Sequence, residues 1–222
     1  MTNQEKNKPE RPLVVVIAGP NGSGKTSFTS EFLNHEWSRD CAYINPDEIA
    51  QNQFGDWNSV EAVLKAVKQA QQMREDYLAN LKNFIFETVL SSNEKVEFLR
   101  SCRDSGYFIR LYFIATKSPA INAYRVARRV MQGGHDVPIS KIISRYTKSI
   151  SNCAACLSLA DRAYIYDNSE SHKLQERLFR VREGQIVKID SENLPDWAAK
   201  IKSKIETLNI EVAPVRQSGL SR

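Results

Sequence analysis

The chain opens its patterned region with an unbroken apolar run, "LVVVIA" at residues 13–18, of the β-branched kind that suits a strand buried on both faces. Further short apolar runs follow: "CAYIN", "NFIFE", "YFIRLYFIA" and "RAYIYD". Between them lie stretches with helical spacing. In the longest, about Ser59 to Leu81, Val60, Val63, Leu64, Val67, Ala70, Met73, Tyr77, Leu78 and Leu81 recur at three- and four-residue steps and predict one apolar stripe. "NEKVEFLRSCRDSG" and residues 139–159 read as further helices. Strand and helix alternate, which predicts an α/β fold: a central parallel five-stranded sheet with helices on both faces. After it, "RLFRVREGQIVKID" predicts a small hairpin turning at Glu183 and Gly184, and "LPDWAAKIKSKIETL" a closing helix. Residues 1–11 are expected to be disordered, 12–208 to form one domain with a lid at about 118–147, and 209–222 to be a flexible tail.

The first strand runs into "GPNGSGKT", the Gly-x-x-x-x-Gly-Lys-Thr phosphate loop, with a helical stretch behind it. In such a loop Gly19, Pro20, Asn21, Gly22, Ser23 and Gly24 bring backbone amides close to an anion. Lys25 neutralises β- and γ-oxygens, Thr26 can hold Mg²⁺, and Ser27 continues the helix N-terminus. That makes ATP and Mg²⁺ the expected cofactors. Parallel sheets of this kind bind ligands beyond the C-terminal ends of their strands, so polar residues there are the candidates. "INPDEIA" presents Asn45 and Asp47; the aspartate either accepts the proton of an attacking hydroxyl or caps the next helix. "FIFETVLSS" presents Glu87, able to bind an acceptor or assist Mg²⁺, with hydroxyls on Thr88, Ser91 and Ser92. "RVARRVMQGGHDVP" places Arg125 and Arg129 on one helical face ahead of Gly133 and Gly134, a pairing that suggests a hinged lid closing on the γ-phosphate.

Charge sharpens this. The net charge is +5 over 222 residues, and residues 121–150 carry all of it, with six cations against Asp136 alone. So compact a cluster suits a polyphosphate clamp and argues against nucleic acid, whose binding proteins spread charge over a wider face. The polar N-terminus has no signal-peptide core and no apolar run is long enough for a membrane, so a cytoplasmic protein is expected. The pair Cys153 and Cys156 has no second pair or nearby His to complete a zinc set and reads as a helix face. There is no Asn-Lys-x-Asp segment, which disfavours a GTP switch.

Six segments together, "GPNGSGKT", "INPDEIA", "FIFETVLSS", "RVARRVMQGGHDVP", "RYTKSISN" and "ADRAYIYDNS", resemble the zeta-toxin family in its compact single-domain branch. The resemblance spans about residues 12–169. It implies a P-loop kinase fold and ATP-dependent phosphorylation of a UDP-activated amino sugar such as UDP-N-acetylglucosamine. It also implies Asp47 as the proton-accepting Asp, Glu87 as the substrate-binding Glu, and Arg125 and Arg129 as lid arginines with Arg128 or Arg145 as alternatives. His135 is then a lid contact on the substrate side or a plain turn histidine, and Asn168 lies near the adenine or its supporting loop. Many relatives carry a second Thr where this chain has Val89. An antitoxin partner is compatible with the resemblance but not required by it. A kinase for another acceptor, such as a nucleoside, sugar or antibiotic, and a non-catalytic ATP-dependent binding protein fit the same motifs.

Overall fold

The computed structural model describes residues 11–33, 38, 40–55, 58–171 and 173–212. Five strands run parallel: β1 (Leu13–Ala18), β2 (Ala42–Ile44), β3 (Phe84–Thr88), β4 (Phe108–Ala115) and β5 (Arg162–Asp167). The hairpin strands β6 (Glu176–Arg182) and β7 (Gln185–Ile189) then add to the same sheet antiparallel, so the sheet has seven strands, in the order β2-β3-β1-β4-β5-β6-β7, where five were expected. The hairpin joins because Leu178, Phe179 and Val181 are buried on the core that β5 borders, the adjacent pair Leu178–Phe179 falling where the β5–β6 register shifts. Its turn is as expected: Glu183 and Gly184 both take positive φ, 50° and 77°, the geometry whose twist matches that of the flanking strands.

β1 lies between β3 and β4 and all six of its residues are buried, which accounts for its unbroken apolar sequence. One sheet face carries Val14, Val16, Phe84, Phe86, Leu111, Phe113 and Ile165, packed with residues from α3 (Val60–Ala79), α4 (Asn93–Asp104), α6 (Ile139–Leu159) and α7 (Asp196–Val212). The other carries Val15, Ile17, Ile85, Tyr112 and Ile114, with Phe28 of α1 (Lys25–Phe32) against them. α2 (Pro46–Phe54) and α5 (Pro119–Met131) complete the order. α7 continues four residues past the expected end of the domain, to Val212. Residues 1–10 and 213–222, most of both expected termini, lie outside the described residues. Arg11, by contrast, belongs to the fold, donating to Asp161 Oδ1 at 2.6 Å.

The predicted stripe on α3 is only half right. Met73, Tyr77 and Leu78 pack on the core, but Val60, Leu64, Val67 and Leu81 are exposed, and the buried face is Ala62, Ala66, Ala70 and Arg74. Small side chains at three successive positions four apart let the helix lie close to its neighbours, so size rather than hydrophobicity chose the inward face. Cys153 and Cys156 are buried on α6 as expected, and burial pushes the Cys156 thiol up to about 12, which leaves it inert. Among the described residues no helix is long and apolar enough to cross a membrane.

Candidate active site

The phosphate loop leaves β1 at Gly19 and enters α1 at Lys25. Gly24, at φ 94°, is the N-cap and supplies no side-chain hydrogen bond, so the first amides of α1 are left for an anion. A Cβ on Gly24 would meet Asn168 Nδ2 at 2.2 Å, and one on Gly22 the Asn122 carbonyl at 2.5 Å. The loop is therefore clasped from behind. Asn168 Nδ2 donates to the Ser23 carbonyl at 2.8 Å and Asn122 Nδ2 to the Asn21 carbonyl at 2.6 Å. Asn122 is fully buried on α5; its Oδ1 accepts from Thr116, whose carbonyl accepts from Tyr146 of α6 at 2.6 Å. Asn168 thus supports the loop and does not line the cavity. Nor do Gly19, Pro20 and Ser23, which form the loop's far side.

A cavity of about 590 Å³ opens in front of it, lined by Asn21, Gly22, Gly24, Lys25, Thr26 and Ser27 at one end. Lys25 Nζ donates to the Pro20 carbonyl at 3.0 Å. Burial lowers the Lys25 pKa, opposed by the carboxylates of Glu87 and Asp47. Glu87, buried at the end of β3, accepts from Thr29 Oγ1 at 2.5 Å, Tyr43 Oη at 2.7 Å and Thr26 Oγ1 at 3.3 Å. Of the two roles open to this glutamate, the geometry sets it beside the Mg²⁺-type threonine. Burial, and then the Glu87 charge, raise the Tyr43 pKa, so the phenol stays protonated and donates. Thr26 and Glu87 bring two hard oxygens side by side at the mouth of the loop, the donor type that Mg²⁺ accepts. Among the described residues no cluster of three or more His, Cys, Asp or Glu could hold a metal ion.

Asn45, not Asp47, caps α2: its Oδ1 accepts from the Asp47 amide at 3.0 Å, and its Nδ2 donates to Tyr43 Oη at 2.8 Å. That removes the capping alternative for Asp47, whose half-exposed carboxylate lines the cavity. Burial alone would raise its pKa, but the His135 imidazole, with Lys25 and Arg129, holds it below the usual range. Thr88 turns its hydroxyl to the Leu90 amide at 3.0 Å, shaping a bend in which Leu90 takes φ 57°.

The lid region comprises α5, residues 132–138 and the start of α6. Arg125 faces the cavity but donates to the carbonyls of Asn168, at 2.6 Å, and Ser169. Arg129 donates twice to the His135 carbonyl, at 3.0 and 2.7 Å. Arg128 is exposed and lines no part of the cavity, whereas Arg145 does, within 3.4 Å of Asn21 Oδ1. The Gly-Gly pair expected as a hinge closes α5: the Gly133 amide donates to Val130 O and the Gly134 amide to Arg129 O, each at 2.9 Å, with Gly133 at φ 80°. This is a Schellman cap. Beyond Asp47 the cavity carries Ser91, Ser92, Lys95, Lys141 and Arg145, with Val63, Val67, Val137 and Pro138 on its apolar side. Ser91, Lys141 and Arg145 continue into a recess shared with Ser140, Ser144 and Lys148.

Sequence reasoning missed Thr29, Tyr43, Lys95 and Asn122, whereas Lys141 and Lys148 were counted only as members of the basic cluster at residues 121–150.

A family model described as Zeta toxin matches residues 1–178. An uncharacterized protein of Haemophilus influenzae is 26% identical over 134 residues, 60% of this chain and 91% of the relative. Among solved structures, the AvrRxo1-ORF1:-ORF2 complex with ATP superposes with a TM-score of 0.63 at 14% identity, covering 89% of this chain and 76% of the other. The PezAT chromosomal toxin–antitoxin system of Streptococcus pneumoniae gives 0.52 at 16%, covering 94% and 88%.

Proposed function

The chain belongs to the zeta toxin family, and from that membership and the cavity's geometry we propose that it is an ATP-dependent small-molecule kinase whose acceptor is a UDP-activated amino sugar such as UDP-N-acetylglucosamine. One observation carries the reading: phosphate loop, Glu87 and Asp47 converge on a single cavity whose far half is rich in cations and hydroxyls. Neutral nucleosides and cationic antibiotics suit that half poorly; an acceptor bearing phosphates suits it well.

In this reading Lys25 and the loop amides hold the nucleotide phosphates in one domain that reaches from Arg11 to the end of α7, under a lid at 118–147. Thr26, with Glu87 beside it, would hold Mg²⁺, which would supply neutralisation of the phosphate charge. The acceptor's O–H gives its proton to Asp47 as its oxygen attacks the γ-phosphorus, and the bond to the ADP oxygen breaks. Arg129 and Arg145 face the transferring charge. Arg125 anchors the 168–169 loop and needs a change of partner to join them. Asn45, Thr88, Ser91 and His135 border the acceptor. A protein antitoxin is part of the proposal, by analogy with the toxin–antitoxin system named above.

The test is to incubate the protein with Mg²⁺-ATP and a panel of UDP-sugars, NAD and nucleosides, and to look by mass spectrometry for the gain of one phosphoryl group. Transfer to a UDP-N-acetyl sugar, lost in Asp47→Asn, is the expected result. Transfer to a different phosphate-bearing acceptor replaces the sugar and keeps the kinase, the second reading that Val89 favours. No transfer to any acceptor overturns both.

A further inference from the structure

The kinase reading needs a carboxylate held still at the acceptor, and Asp47 is poorly restrained on its own helix. Its backbone is fixed by the Asn45 cap, but its side chain is half exposed, and the contact recorded for it among the described residues is with His135: Nδ1 stands 3.3 Å from Asp47 Oδ2. His135 comes from the lid loop, far along the chain, and is itself well placed. Its carbonyl takes both Arg129 hydrogen bonds. The next residue's amide, that of Asp136, donates to Asn58 Oδ1 at 2.9 Å, just ahead of α3. Gly134 lies so close beneath that a Cβ there would meet Arg129 Cγ at 2.5 Å. The imidazole is largely buried, and among the described residues Nδ1 makes no fully formed hydrogen bond, Asp47 Oδ2 at 3.3 Å being the group it stands against. A buried ring nitrogen, its backbone tied on both sides and its free edge against one carboxylate oxygen, is placed to orient that carboxylate.

We propose that His135 is a positioning residue for Asp47, brought down by the lid loop to hold one carboxylate oxygen so that the other meets the acceptor hydroxyl. The proposal rests on the kinase reading and gives the lid a task beyond covering the γ-phosphate: it completes the base. It gives Arg129 one as well, since its guanidinium ties down the His135 carbonyl. The charged groups around the pair are Lys25 from α1, Arg129 from α5, Glu48 beside Asp47 and Asp136 beside His135.

Two measurements test it. The first needs no acceptor: the side-chain ¹H–¹⁵N resonances of His135 are compared by NMR at one fixed pH in the wild-type protein and in Asp47→Asn, with His35 and His172 as internal controls and His135→Gln for assignment. Replacing the carboxylate beside Nδ1 is expected to displace the Nδ1 resonance while the control resonances stay in place; an Nδ1 resonance unmoved overturns the pairing. The second compares His135→Ala and His135→Asn, the latter keeping a donor near the Nδ1 position, by ADP release with Mg²⁺-ATP and UDP-N-acetylglucosamine. Positioning predicts that kcat falls about tenfold in the alanine variant, with KM for ATP unchanged, and largely recovers in the asparagine variant. An alanine variant with wild-type kcat, or one altered only in acceptor KM, sinks the proposal. Should Asp47→Asn transfer phosphate normally, the base assignment falls while the NMR result still decides whether the pair exists.

Discussion

Glu87 has three hydroxyl donors on a buried carboxylate, and that arrangement tolerates little chemistry. Glu87→Gln keeps the shape but turns one acceptor into a donor facing Thr and Tyr hydroxyls, and it removes a charge facing Lys25. The expected cost is about 1–3 kcal/mol of stability, read from denaturant midpoints, together with a raised Mg²⁺ requirement for nucleotide binding. An isoenergetic variant with wild-type Mg²⁺ dependence would mean the hydroxyls are not satisfied by charge. Arg74 is the opposite case. It is buried over Phe86 and Phe98, its Nε has no partner among the described residues, and its carboxylate partner Glu94 stands 3.7 Å away and half exposed. Such a pair rarely recovers its desolvation, so Arg74→Met is expected to be neutral or stabilising, whereas Arg74→Ala opens a cavity costing about 2–5 kcal/mol. Thermal unfolding of the two variants separates these outcomes. Asp47 and Glu87 were legible in the sequence because each stands where an apolar run stops abruptly. Tyr43 was not: its meeting with Glu87 depends on the register that sets Tyr43 against Ile85 and Ile44 against Phe86, and register is invisible in one chain's pattern.

Among the elements, α5 is the one whose role the pattern understated. Its arginines announced a lid, but Asn122, a polar residue in an otherwise ordinary helical stretch, ties that lid to the phosphate loop through Asn21 and Thr116. Asn122→Ala takes the donor from the Asn21 carbonyl and leaves the buried Thr116 hydroxyl with the Ser118 carbonyl as its remaining acceptor. A loss of about 1–3 kcal/mol is expected, and with it weaker nucleotide binding, since the loop is no longer clasped; calorimetric titration with ATP would show whether the two losses travel together. On α3 the error ran the other way, because hydrophobic spacing cannot see that alanines permit a closer approach than valine and leucine. The hairpin makes a pH prediction. Arg180, and with it Arg177, hold the Asp190 carboxyl at about 2, below its ordinary 3.8, against the opposing effect of burial. A depressed carboxylate stabilises the fold above the ordinary value, and that contribution disappears as pH falls through about 2. Wild-type denaturant midpoints should therefore decline between roughly pH 4 and pH 2 more steeply than those of Asp190→Asn; parallel profiles would exclude the Arg177–Asp190–Arg180 cluster as a stabilising element.

At the scale of the molecule, alternation of strands and helices was enough for a parallel core, and the phosphate loop pointed to the edge of it that carries the candidate site. The hairpin's joining of the sheet was not legible, because its alternation fits a free-standing ribbon equally well. What the sheet does functionally is bring three unrelated segments to one edge: the loop after β1, the α2 N-terminus after β2 and Glu87 at the end of β3. A ligand touching all three must stabilise the whole domain. Bound at a hundred times its Kd, a non-hydrolysable ATP analogue adds about 2.7 kcal/mol, or roughly 5–10 °C in Tm for a domain of this size. The Mg²⁺ assignment can be isolated within that shift. The Thr26 hydroxyl donates to Glu87, so it should matter for the metal and little for the phosphates themselves. With Mg²⁺ present, Thr26→Ala should show a clearly smaller shift than wild type; with the metal chelated, the two shifts should converge at a common lower value. A gap that persists without the metal would mean that Thr26 serves the phosphates directly, and the cation would then have to be held from the Glu87 side alone.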